Sequence, residues 1–138
     1  MEASPDISAL IAGLNDRSPY LRQKAAKRLA GCAEQAAAAA DQVVPALKQA
    51  LTDENKYVRL AAAVAMARIA PKKPESIRTL AGLLSDEHRD IRASAAVALG
   101  ELGPLAKAAE GKLRQAAADD QELVRRSAAE ALERIVPP

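Results

Sequence analysis

One histidine, His88, and one cysteine, Cys32, bound the catalytic chemistry open to this 138-residue chain. A Ser-His-Asp or Cys-His site would have to use His88. That residue sits in the run DEHRD, where a solvated polar turn is expected. Metal binding needs several His, Cys or carboxylate groups that converge, and Cys32 and His88 lie far apart in sequence. Cys32 itself reads as a half-buried, inert thiol near a helix end. The pairs Asp119-Asp120 and Glu130-Glu133 read as solvated faces rather than acid/base couples. The glycines are isolated at helix ends, so there is no phosphate-cradling loop. The expectation is no catalytic residue, no metal and no cofactor.

The elements that hold these residues follow from an internal repeat. Four segments align without gaps, beginning at Asp16, Asp53, Asp86 and Asp119, which stand 37, 33 and 33 residues apart. Five residues after each aspartate is an aliphatic residue: Leu21, Val58, Ile91 or Val124. The sixth is always arginine: Arg22, Arg59, Arg92 and Arg125. An Ala-Ala pair follows at 25–26, 62–63, 95–96 and 128–129. Offsets 5, 9, 13 and 16 from the aspartate form one stripe of a 3.6-residue helix. Each repeat is therefore read as helix A, a turn at the aspartate, and helix B.

Helices are predicted over 5–14, 19–33, 42–51, 56–69, 75–84, 89–101, 105–117 and 121–135. Start signals are Ser4-Pro5, Ser18-Pro19 and Asp41, and Gly103-Pro104 closes one repeat and opens the next. The alanine-rich stretch at 36–40 is expected to extend the first helix B up to a turn near Asp41. Pro45 is expected in the first turn of the next helix. Alanine dominates a chain with 49% apolar residues, no Phe or Trp, and only Tyr20 and Tyr57 as aromatics. A core of that kind needs close helix packing, and the fold class is all-α. The expected organisation is a single domain over 1–138, with repeats at about 4–36, 37–70, 71–103 and 104–138.

The Asp-to-Arg spacing, the VRxxAAxAL-like B helices and LGELGP at 99–104 resemble HEAT repeats, of the short kind found in phycobilin-lyase-like proteins. The resemblance covers the whole chain. It implies a right-handed α-solenoid of four helix-pair repeats, about eight helices in all. It also implies that Asp16, Asp53, Asp86 and Asp119, with Arg22, Arg59, Arg92 and Arg125, form a structural ladder. No residue set matching a bilin transfer is present, so the resemblance extends to fold alone. The iron-binding His-Glu pairs of some HEAT-like hydroxylases are also missing, since Glu87-His88 runs in the opposite order.

Function is then expected on the surface. If offsets 5, 9, 13 and 16 face inward, offsets 4, 7, 11 and 14 face outward, and the resemblance puts them on a concave B-helix face. Tyr20, Lys27, Tyr57, Leu60, Val64, Arg68, Asp90, Ala93, Val97 and Glu101 are the candidate partner-binding residues. The middle two repeats are apolar there and the outer two polar, which points to a contact surface for another protein or peptide.

Twenty basic against eighteen acidic residues give a net charge of only +2. This disfavours nucleic acid, although a weak backbone binder stays among the alternatives, as does a lyase or lyase-chaperone subunit acting on a tetrapyrrole–protein adduct. Arg17, Lys24, Lys27 and Arg28 read as a solvated basic cluster. No apolar run reaches bilayer length and no signal peptide is read at the start, so the expected location is cytoplasmic, without a membrane. An uncapped end repeat, with Ile7, Leu10 and Ile11 showing, leaves room for self-association.

Overall fold

The computed structural model describes residues 4–137. Among them there is helix and turn and no strand. The chain forms two compact units, Met1–Ala70 and Pro71–Pro138, each taken by itself below.

Unit 1 contains α1 (Ile7–Gly13), α2 (Pro19–Gly31), a short α3 (Ala33–Ala37), α4 (Ala40–Ala50) and α5 (Lys56–Ile69). The two A helices are α1 and α4, and the two B helices α2 and α5 pack side by side. Local sequence sets the starts. Asp6 caps α1 by accepting the Ala9 N–H at 3.0 Å, so α1 begins later than Ser4-Pro5 would have it. Ser18 caps α2 ahead of Pro19, as expected, accepting the Leu21 N–H. Asn55 caps α5 and takes two N–H groups, those of Tyr57 and Val58. Each cap satisfies donors that a helix start leaves without partners.

The alanine-rich stretch differs from its expected course. Helix α2 stops at Gly31, Cys32 leaves helical geometry at φ −120°, and α3 is a separate single turn. Glycine is a weak helix former, and one residue out of register suffices to restart the helix at a new angle. The turn into α4 falls at Ala38-Ala39, so Asp41 lies in the first helical turn, where its charge suits the dipole, and does not cap. This early start also puts Pro45 in the second turn. There its missing N–H forgoes a bond to the Asp41 carbonyl, a cost tolerated at an exposed position.

Unit 2 contains α6 (Pro74–Leu83), α7 (Arg89–Leu102), a 3-10 segment (Gly103–Ala109), α8 (Glu110–Ala116) and α9 (Glu122–Ile135). The A helices α6 and α8 pack on the B helices α7 and α9, which pack on each other. The expected helix over 105–117 is only half α-helical. Gly103 adopts φ +58°, which favours glycine, Pro104 follows, and the chain kinks at Ala106 before α8 begins.

Both units are packed with small side chains. Ala26, Leu29, Val43, Leu47 and Val58 are fully buried in unit 1, and Leu80, Ala95, Ala96, Leu99, Leu113 and Val124 are within 1% of it in unit 2. The inward stripe holds with three exceptions: Leu21 is 42% exposed, and Cys32 and Leu132 are half-buried. In each Ala-Ala pair the first residue is buried, and so is the second except at Ala129, which is exposed.

Candidate binding faces and the arginine–aspartate rungs

The four A–B turns share one construction. Each aspartate accepts, at 2.9 Å, the backbone N–H two residues on: Ser18 for Asp16, Asn55 for Asp53, His88 for Asp86 and Gln121 for Asp119. Six residues on, the arginine folds back and its Nη1 donates to the carbonyl of that aspartate, over 2.7–2.9 Å. The carboxylate thus closes the turn and the guanidinium clamps it.

Inside each unit the first arginine also reaches the next turn. Arg22 donates from Nε and Nη2 to the two carboxylate oxygens of Asp53 at 2.8 and 3.1 Å. Arg92 forms the same fork to Asp119 at 2.9 and 3.0 Å. All four side chains are 12–13% exposed. Bidentate pairing shielded from water is stronger and more specific than an open surface pair. The electrostatics follow. Burial pushes the Asp53 carboxyl up, but the Arg22 fork, the Asn55 N–H and the charges of Arg22 and Arg59 outweigh it and hold the group below its ordinary range. The Arg92 fork, against burial, holds Asp119 low as well. Both arginines are raised, chiefly by their aspartate hydrogen bonds. The charges in these rungs are paired with each other within the fold.

The groups that could do chemistry stand apart. His88 is the N-cap residue of α7, with its side chain 51% exposed and Nδ1 3.5 Å from Asp86. Cys32 is half-buried where α2 ends. It borders an open cleft of about 760 Å³ in unit 1 with Pro5, Lys24, Lys27, Arg28, Gly31 and Gln35. Among the described residues no three His, Cys, Asp or Glu side chains gather closely enough to hold a metal ion.

The expected partner-binding residues divide by unit. In unit 1, Tyr20 and Lys27 on α2 are exposed, as are Tyr57 and Arg68 on the adjacent α5, with Leu60 and Val64 half-buried. In unit 2, Asp90, Val97 and Glu101 of α7 are exposed, and Leu123 of α9 is 51% exposed. Ala93 is a correction: it is 5% exposed and contributes no accessible surface. Offset 14 is another, since Ala30, Ala67 and Gly100 are buried rather than outward. The reason is visible at Gly100, where a Cβ would stand 3.0 Å from the Ala131 Cα. Offsets 7 and 14 share the flank that turns toward the next B helix, whereas 4, 11 and 15 point away. Sequence periodicity missed Leu105, 49% exposed in the 3-10 segment, because a regular helix was expected there.

Helix pairs joined by identical turns, with B helices stacked and bolted by arginine–aspartate forks, define an all-α helical-repeat protein of the α-solenoid class. Residues 7–100 and 78–137 match the HEAT repeats family, and the chain belongs to it. No functionally curated protein matches the chain. Among solved structures, one engineered protein is 26% identical with a TM-score of 0.69, over 96% of this chain and 63% of the other. A second engineered protein is 28% identical with a TM-score of 0.66, over 96% and 64%. The complex of CpcE and CpcF of phycocyanin lyase from Nostoc sp. PCC7120 is 24% identical with a TM-score of 0.66, over 97% and 55%. The chain therefore spans less than two thirds of these proteins. The likeness to the phycocyanin lyase chain is one of fold, of the short HEAT-like kind that the motif resembles. No helix among the described residues is long and apolar enough to cross a membrane.

Proposed function

We propose that this chain is a noncatalytic protein-interaction module that takes a partner segment on the outward faces of its B helices. Unit 1 carries the stronger face. The observation behind this reading is the exposure of Tyr20 (68%) and Tyr57 (38%) at equivalent positions of the neighbouring helices α2 and α5. Tyrosine rings offer large contact area at low entropic cost, and paired exposed rings mark contact surfaces. Half-buried Val64 continues the apolar strip along α5, and Lys27 and Arg68 are exposed beside it. Such a face suits a protein segment that presents apolar side chains together with carboxylates. Val97 and Leu123 give unit 2 a smaller apolar face, set beside Asp90, whose charge repels the same segment. A single thiol without a disulfide framework fits a cytoplasmic setting.

The test is affinity capture from the native host, read by mass spectrometry, with wild type and two variants run in parallel. Val64→Glu combined with Tyr20→Ala should lose the captured partner at least tenfold, the scale of one interface hot spot. Val97→Glu should leave more than half of it. Melting temperatures should stay within a few degrees of wild type. Capture that survives the unit 1 variant overturns the assignment of the face.

A further inference from the structure

The rungs show what a B helix of this chain needs on its following flank, and α9 has it only in part. Arg22 and Arg92 each hold a carboxylate in a two-bond fork. Arg125 makes the bond to its own turn, Nη1 to the Asp119 carbonyl at 2.8 Å, and is exposed. Among the described residues no carboxylate accepts from its Nε or Nη2. Asp16 is the counterpart. It accepts the Ser18 N–H like the other turn aspartates, is exposed, and receives no guanidinium fork from any described residue. Among the described residues, Arg125 on the following flank of α9 and Asp16 ahead of α2 are thus an arginine and an aspartate of the repeat that take part in no fork.

A second position agrees. Within unit 2, α7 meets α9 where offset 14 of the first (Gly100) faces offset 12 of the second (Ala131). The same offsets on the two open flanks are Glu133 on α9 and Arg28 on α2, both exposed. Around them α9 shows exposed Ala129 and half-buried Leu132, where α7 has fully buried Ala96 and Leu99. On α2, Leu21 is 42% exposed, whereas its equivalents Val58 and Val124 are fully buried. Two charge pairs of the right sign, at the two register points that fix α7 on α9, with apolar surface between them, make one flank the complement of the other.

We propose that a second copy of this chain docks its α2 flank on α9 in the register that α9 keeps on α7, placing Asp16 on Arg125 and Arg28 opposite Glu133. The contact uses different patches on the two copies, so it is head-to-tail and can extend beyond a dimer. Glu133 and Arg28 are bulkier than the Gly100–Ala131 approach that they replace, so the helices sit further apart and the association is weak. Its ion pairs lie near water and are screened by salt, with a Debye length of about 10 Å at 0.1 M.

Sedimentation velocity of the full chain over a range of concentrations, at low ionic strength, is the test. The weight-average mass should rise with concentration above the 14.5 kDa of one chain and fall back when salt is added. Glu133→Arg and Arg28→Glu should each weaken association by about fivefold or more, from loss of a pair plus like-charge repulsion. The double variant carrying both should recover most of the loss. Asp16→Asn, which keeps an oxygen for the Ser18 N–H, should weaken it by about threefold. Circular dichroism checks the fold of each variant, and Glu133→Gln replaces any charge reversal that fails to fold. A chain that stays monomeric at every concentration overturns the proposal, as does association indifferent to these changes. A double variant that fails to recover overturns the register.

Discussion

In unit 1 the flank of α2 at offset 14 carries buried Ala30, whereas the same position of α7 in unit 2 is Gly100, against which Ala131 closes. The two units use the same turn and the same fork, yet they set the distance between their B helices with different side chains. Glycine in a helix interior costs about 1 kcal/mol against alanine, so α7 gives up local helix stability for close approach. This difference predicts the largest effect. Gly100→Val should destabilise unit 2 by about 3 kcal/mol, because its branched side chain meets Ala131 backbone rather than a flexible neighbour. Gly100→Ala should cost about 1 kcal/mol in spite of its better helix propensity. Ala30→Gly in unit 1 should cost about 1 kcal/mol from propensity alone. Urea unfolding measures all three, and a stabilised Gly100→Ala would show that α7 and α9 separate without penalty.

The forks, by contrast, are equivalent in the two units, and acid should weaken both. Asp53 and Asp119 sit below the ordinary aspartate range in the folded chain. A group whose folded value is depressed binds protons more readily when unfolded. Its stabilisation is complete above the unfolded value, near 4, and is lost as pH falls through the lowered folded value. Stability should therefore be flat from neutral pH down to about 5 and then decline. Asp119→Asn keeps an oxygen for the Gln121 N–H but removes the charge. It should cost about 1–2 kcal/mol at neutral pH and flatten the acid decline. An acid limb as steep in that variant as in wild type would place the titrating groups elsewhere.

How much of this was legible beforehand depends on the kind of interaction. The forks were legible through the resemblance to HEAT repeats, and the turns through fixed spacing: an aspartate at each turn and an arginine six residues on. The helix stripe was readable for the same reason, through Val58, Ile91 and Val124. Breaks were not, since Cys32 and Ala106 carry no breaking signal of their own. Nor was the flank: offset 14 is outward on an isolated helix and buried only once a second B helix lies against it. Leu21 fails the opposite way, as an inward residue by periodicity that no described helix covers. The candidate face was thus half legible, since Tyr20, Tyr57 and Val97 are exposed and Ala93 is not.

The smallest effect sharpens the comparison most. Arg92 and Arg125 stand at the same position of the two B helices in unit 2, and both clamp their own turn through Nη1. Only Arg92 adds the fork to Asp119. Arg92→Ala leaves that carboxylate shielded without its main partner and should cost about 2 kcal/mol. Arg125→Ala removes an exposed side chain with one hydrogen bond and should fall within about 0.5 kcal/mol of wild type when measured on dilute monomer. The difference between the two isolates the fork from the clamp. Were Arg125→Ala to cost as much as Arg92→Ala, the stability carried by these arginines would lie in closing each turn. The links between successive repeats would then be a by-product of that closure.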